Sequence, residues 1–208
     1  MKIKTLLFTA GSLFFIVLFS CLSVMAYEYE HKGLSTVPST VYISTDFSAQ
    51  ARTRCQAAMT TWNTTCFSYA CLSYGGTTSH AGLSGEDNTN IISYTYVPDP
   101  YLGETCFTKK KYTFLWLDWY LVEFDINISP NHDWFVNDNP HAITLDAFDG
   151  YFDMETTVLH ELGHALGLGH TDQQFYNGYR VVMYPSCPAQ VTIRDLSEDD
   201  RLGVVNLY

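Results

Sequence analysis

The chain has 208 residues, 47% of them hydrophobic and 16% charged, which is enough apolar material for one buried core and excludes a disordered polymer. Its formal charge of −11 argues against nucleic acid or an anionic membrane surface as partner, and is compatible with divalent cations. Aromatic residues reach 15%, a content that suits an exported protein with an extended cleft but does not establish one.

The amino terminus reads as a targeting segment. Lys2 and Lys4 precede an apolar run from Leu6 to about Val24, and Val24-Met25-Ala26 offers small residues for cleavage after Ala26. Two other readings stay open: lipidation at Cys21, against which Phe19 is a poor fit, and an uncleaved span, since the run approaches the ~20 residues a bilayer needs. All three place the domain outside the cytoplasm. Cleavage would remove both lysines and no acid, taking the charge from −11 to −13. Cys55, Cys66, Cys71, Cys106 and Cys187 remain, and in an oxidising compartment most are expected to pair, with the connectivity open. With no C-x-x-C pair, metal binding by cysteine is not expected.

Residues 27–37 read as a short, mobile lead-in. Val41 to Thr45 predicts a strand. Asp46 or Ser48 caps a helix whose apolar face carries Ala51, Cys55, Ala58, Met59 and Trp62 and which ends near Thr65. From Cys66 to Asn90 the chain is polar and glycine-rich and reads as loop. Ile91 to Val97 predicts a strand that stops before Pro98, and Leu102 to Phe107 another. Lys109-Lys110-Lys111 reads as a solvated turn, and Tyr112 to Trp119 as an aromatic strand. Leu121 to Ile128 alternates cleanly and is the clearest strand of the chain. Residues 129–150 read as loop. His31 and His80 lack a partner pattern and are expected at the surface.

A helix follows from Met154 to about Leu166, with Asp153 placed to cap it. It carries His160-Glu161-Leu162-Gly163-His164, and the chain continues to Gly167 and His170, giving H-E-x-x-H-x-x-G-x-x-H. His160 and His164 stand four apart, so both imidazoles leave one helix face and can share a Zn²⁺ at about 2.0–2.1 Å. Glu161 lies roughly 100° further round, poorly placed as a ligand but well placed as general base toward a metal-bound water. Gly167 lets the chain turn so that His170 becomes the third ligand, and a fourth position stays open, the mark of a catalytic zinc. A loop to Arg180 and the segment Val181 to Pro185 follow. Leu196 to Tyr208 predicts a closing helix with Ser197 as N-cap and acids in its first turn. No repeat and no second domain is visible. The order of elements predicts one α+β domain with a mixed sheet over residues 39–208.

In the motif His160 to His170, in Val182-Met183-Tyr184-Pro185, in Glu123 to Ile128 and in Leu196 to Tyr208, the sequence resembles the matrixin branch of the metzincins, the zinc endopeptidases that include the matrix metalloproteinases. The likeness lies in residues 123–208; before that it rests on element order. It implies a metzincin fold and a secreted endopeptidase, acting as a monomer on a protein or peptide. Zn²⁺ would sit on His160, His164 and His170, Glu161 would be the base, and Met183 the Met-turn floor beneath the histidines. Tyr184 and Pro185 would line the pocket for the side chain after the scissile bond. Cys187 stands where matrix metalloproteinases often have a tyrosine, and a disulfide there would tie the pocket wall. His132, Asp133 and His141 lie in the region of the family's second zinc without its spacing, and calcium on loop oxygens between Asp133 and Asp149 is a further expectation. No propeptide with an inhibitory cysteine fits between Ala26 and Val41. The rival reading is a zinc-containing binding protein with a dead site, against which the intact Glu161 speaks.

Overall fold

The computed structural model describes residues 28–66, 71–80, 87–111 and 119–208. Strand β1 (Ser39–Ser44) buries Val41 and Ile43 fully, as its alternation predicts. Helix α1 (Ala49–Asn63) starts where the Ser48 hydroxyl accepts the Ala51 N–H, and it buries the five apolar positions read from the sequence. The main sheet continues with β2 (Leu72–Thr78), β3 (Asn90–Tyr94), β4 (Gly103–Lys111) and β5 (Trp119–Ile128), in the order β2-β1-β3-β5-β4. All pairings are parallel except β4 with β5, so β4 is an antiparallel edge. Phe124, Ile126 and Ile128 face the helices from β5, while Glu123, Asp125 and Asn127 alternate onto the other face and are buried there as well.

Two small strands, β6 (Trp134–Phe135) and β7 (Phe152–Asp153), pair in parallel and lead into α2 (Met154–Leu166), the central helix. Asp153 caps α2 by accepting the Thr156 N–H at 3.0 Å. The Trp62 indole donates to Leu159 O at 2.8 Å, a buried hydrogen bond that locks α1 onto α2. A hairpin of β8 (Phe175–Tyr176) and β9 (Tyr179–Arg180) follows, then α3 (Glu198–Val205), opened by a capping box between Ser197 and Asp200. This is the mixed-sheet α+β architecture expected from element order.

Several expectations are corrected. The segment after Cys66 is not all loop: Leu72–Thr78 is a strand, paired with β1 through a bulge between Val41 and Tyr42. Gly75 supplies the extra residue, because a Cβ there would stand 2.6 Å from Thr40 Cγ2, and Gly76 has φ +108°. An edge strand with one buried residue carries no alternation to read. The three lysines at 109–111 are not a turn; they extend β4 opposite Trp119, Tyr120 and Leu121. Short helical turns over Pro140–Thr144 and Asp146–Phe148 interrupt the loop expected at 129–150. The strand expected from Tyr112 lies outside the described residues apart from Trp119, the first residue of β5.

The lead-in is docked rather than mobile: Tyr29 bridges Leu168, Leu34 bridges Leu121, and His31 is buried, contrary to its expected place at the surface. His80 is exposed as expected. Among the described residues the cysteines form one bridge, Cys66–Cys71, so fewer pair than expected; Cys55, Cys106 and Cys187 are free thiols. They sit on α1, on β4 and in the loop after the 181–185 segment, which keeps them on separate elements. Cys187 therefore does not tie the pocket wall.

A three histidine centre beside a cleft

Helix α2 places His160 and His164 on one face, and its end is set by Gly167 at φ +112°, where the chain turns toward His170. The Nε2 atoms of His160 and His170 lie 3.2 Å apart, and those of His164 and His160 3.1 Å apart. Each of the two helical rings is held from behind: His160 Nδ1 lies 2.7 Å from Val182 O, and His164 Nδ1 lies 2.8 Å from Leu168 O. A ring nitrogen facing a carbonyl must carry the proton, so both Nε2 atoms present lone pairs to the shared point. Lone pairs that close repel unless a cation lies among them. Tetrahedral ligands at 2.0–2.1 Å stand about 3.3 Å from one another, close to the observed separations. Among the described residues, this is the group of ligating side chains whose donor atoms all fall within 4.8 Å.

Electrostatics agree with a neutral, ligand-ready triad. Burial pushes the His160 imidazole down to about 4, and burial also lowers His164 and His170, aided by the neighbouring rings. Burial raises the Glu161 carboxyl, opposed by His164 and by the Thr105 hydroxyl. Glu161 is 6% exposed and sits on the cleft side of α2.

The cleft, a cavity of about 550 Å³, runs between Tyr101 and the β4 edge, with Gly103 and Thr105, on one side and a wall of Val182, Tyr184, Pro185, Cys187 and Ile193 on the other. That wall is anchored from below. Asp200 of α3 accepts the N–H groups of Val182 and Met183 at 3.1 and 3.2 Å, which aims Val182 O at His160. Met183 is 1% exposed and packs under α2, where a Cβ on Gly163 would run into its sulfur and lie 3.1 Å from the Trp62 ring. Ile193 N–H donates to Thr156 Oγ1 at 2.7 Å, closing the far end. Burial pushes the Cys187 thiol up to about 11, so it lines the wall as a neutral group.

The structure thus brings His160, His164, His170 and Glu161 to one cleft and sets Met183 against the next turn of the same helix. His132 is elsewhere, its Nε2 at Tyr101 O and its ring against Trp134 and Phe152. Four neighbours escaped the sequence reading. Gly103 and Thr105 come from β4, 58 and 56 residues before Glu161, and no local motif announces them. Glu30 and His31 arrive from the docked lead-in, with Glu30 Oε1 3.6 Å from His164 Nδ1 and His31 Nε2 3.1 Å from His164 O.

Three converging imidazoles, a buried carboxylate beside them and an adjoining cleft define a domain organised around a group of side chains that could hold a metal ion. The chain belongs to the matrixin family, whose model matches residues 72–208. It is 38% identical over 66 residues to metalloendoproteinase 1 of Glycine max, covering 32% of this chain and 20% of that protein. It is 35% identical over 83 residues to metalloendoproteinase 1-MMP of Arabidopsis thaliana, covering 40% and 20%. The matched stretches thus span a fifth of the length of these relatives. Among solved structures it is similar to metalloproteinase-II from Bacteroides fragilis (19% identity, 83% of this chain, 54% of that one, TM-score 0.43). It is also similar to high choriolytic enzyme 1, a hatching-enzyme zinc-protease of Oryzias latipes (13%, 90%, 96%, TM-score 0.41).

Proposed function

We propose that this chain is a zinc-dependent endopeptidase that is exported and cuts peptide bonds in proteins. The observation that carries the reading is the convergence of three Nε2 atoms, those of His160 and His164 unprotonated, with a carboxylate one residue along the helix. His160, His164 and His170 would hold the ion, and zinc bound there supplies a Lewis acid that polarises a carbonyl and acidifies water near neutral pH. Glu161 accepts the proton of the attacking water and delivers it to the leaving amine. Its raised carboxyl suits both halves of that task. An extended peptide adds to the free edge of β4, with backbone hydrogen bonds for affinity. The side chain after the scissile bond enters between Thr157 and the wall of Tyr184, Pro185 and Ile193. Met183 gives the three histidines an apolar floor.

Export is supported by the charged and apolar amino-terminal pattern and by the disulfide. Among the described residues no helix is long and apolar enough to cross a membrane.

The test is peptide-library cleavage with and without a chelator. Cleavage is expected to stop on metal removal and return with Zn²⁺. Glu161→Ala is expected to retain zinc and to lose about 10²–10⁴ in rate. Zinc binding by the wild-type chain without cleavage of any peptide would instead leave a binding protein of the same fold.

A further inference from the structure

The Glu161 side chain touches β4 at two residues, and each contact has a particular geometry. Thr105 Oγ1 lies 2.7 Å from Glu161 Oε2 and 3.0 Å from the Glu161 carbonyl oxygen. The hydroxyl has one proton, and the shorter approach to the charged oxygen takes it. Thr105 is β-branched and sits within the paired part of β4 opposite Ile126, so its χ1 and its hydroxyl are restrained before any substrate arrives. Gly103, the next residue on the same face, lies against the other oxygen. A Cβ there would stand 3.1 Å from both Cγ and Oε1 of Glu161 and 3.2 Å from Ile128 Cδ1. Glycine at 103 therefore opens the space that the carboxylate occupies, and the hydroxyl at 105 fixes how the carboxylate turns within it.

We propose that Gly103 and Thr105 form a cradle on β4 that holds the Glu161 carboxylate in one orientation, with Thr105 as the positioning residue. The proposal rests on the endopeptidase reading for its purpose, but the cradle itself is a matter of geometry. Thr105 occupies Oε2 and leaves Oε1 to take up and release the proton. A freely turning carboxylate would spend part of its time with neither oxygen placed for the transfer. The same strand edge receives the substrate backbone. One rigid element thus registers peptide and base against each other, which a residue on a loop would not do.

The isosteric change Thr105→Val deletes the hydroxyl and keeps the shape. It is expected to lower kcat by about 10- to 100-fold, the size of one hydrogen bond to a charged group, with KM within about twofold. Thr105→Ser keeps the hydroxyl and is expected to recover most of the rate. Zinc content and thermal midpoint, measured on the same samples, show that each variant is folded and loaded. A readout independent of turnover is the ¹³C resonance of the Glu161 side-chain carboxyl in the zinc-loaded full chain, assigned through Glu161→Gln. It is expected to move in Thr105→Val and to stay in place in Thr105→Ser. An unmoved resonance in Thr105→Val overturns the cradle whatever the activity, and an unchanged kcat in that variant overturns its role in proton transfer. A moved resonance in a chain whose wild type cleaves nothing upholds the cradle and removes the endopeptidase reading instead.

Discussion

Gly163 shows how one residue serves a helix and a site together. Glycine inside a helix costs about 1 kcal/mol relative to alanine, so propensity alone favours Gly163→Ala. The added Cβ would collide with Met183 Sδ and press on Trp62, an overpacking worth about 1–3 kcal/mol. The collision wins, and Gly163→Ala is expected to be net destabilising in urea denaturation. Met183→Ala alone opens a cavity under α2 and costs about 2–5 kcal/mol. The pair together is expected to cost less than the two added, because removing Met183 removes the obstacle; strict additivity would show that the two do not touch.

Asp125 is a residue-scale case of charge placed in the wrong medium. Burial pushes its carboxyl up to about 7, against the Ile91 N–H that favours the anion and with Asp87 and Glu123 adding to the rise. The folded value exceeds the unfolded 3.8, so between about pH 4 and 7 the native state keeps a proton that the unfolded chain has released. Stability from this group is therefore full near pH 4 and lost as pH rises through 7. Asp125→Asn keeps an oxygen for Ile91 and removes the charge. It is expected to match the wild type at pH 4 and to exceed it by about 1–4 kcal/mol at pH 8, read from denaturation at both values. The three converging histidines, Glu161 and Met183 were legible as a group because their spacing is local, within 24 residues of one another from His160 to Met183. Thr105 and His31 were not, because their partners come from other elements and nothing in the neighbouring letters marks them.

At the scale of elements, legibility followed the source of stability. Helices α1 and α3 bury one face, α2 is buried on nearly every side, all three carry side-chain caps, and β5 alternates, so pattern and cap locate all four. Strand β2 exists through backbone pairing to β1 and a glycine bulge, and the lysine end of β4 through pairing to β5; neither leaves an apolar pattern. The start of α2 is held by ion pairs, Arg194 meeting Asp153 and Glu155 and Arg54 meeting Glu155. Asp153 is 1% exposed, caps the helix, and receives Arg194 Nη2 at 2.6 Å and Nε at 3.0 Å. Arg194 also donates to the carbonyl oxygens of Asn137 and Asp138, so the pair joins the helix start to two loops, one of them leading from the cleft wall. Arg194→Ala strands a buried carboxylate and is expected to cost about 3–5 kcal/mol in denaturant unfolding. Arg194→Lys is expected to recover only part, since an ammonium does not reproduce the two-pronged contact. A cost below about 1 kcal/mol for Arg194→Ala would mean that solvent reaches Asp153 after all.

Across the whole molecule, both ends of the described chain meet over the carboxyl-terminal end of α2, where helix carbonyls lack partners of their own. Gly33 N–H donates to His31 Nδ1 at 3.1 Å, which leaves His31 Nε2–H for the His164 carbonyl at 3.1 Å. The Tyr208 hydroxyl donates to Leu166 O at 3.2 Å and accepts the Leu34 N–H at 2.7 Å. Glu30 N–H reaches Gly167 O at 2.9 Å, and Gly169 N–H reaches Glu28 O at 2.7 Å. The turn that carries His170 is thus paired on both sides of Leu168 by a segment over a hundred residues earlier. A protein beginning at Ser35 loses the contacts that Glu28, Glu30 and His31 make with residues 164–169, and the 167–169 turn is left to order itself when the ion binds. Fixing even one residue's backbone costs about 1–2 kcal/mol, so zinc affinity measured by competition with a chromophoric chelator is expected to fall at least about tenfold. Tyr208→Phe removes one hydroxyl from the same junction and is expected to cost about 1–2 kcal/mol of stability with a smaller effect on the metal. Undiminished affinity in the shortened protein would mean that Gly167 alone, through its left-handed turn, delivers the third imidazole.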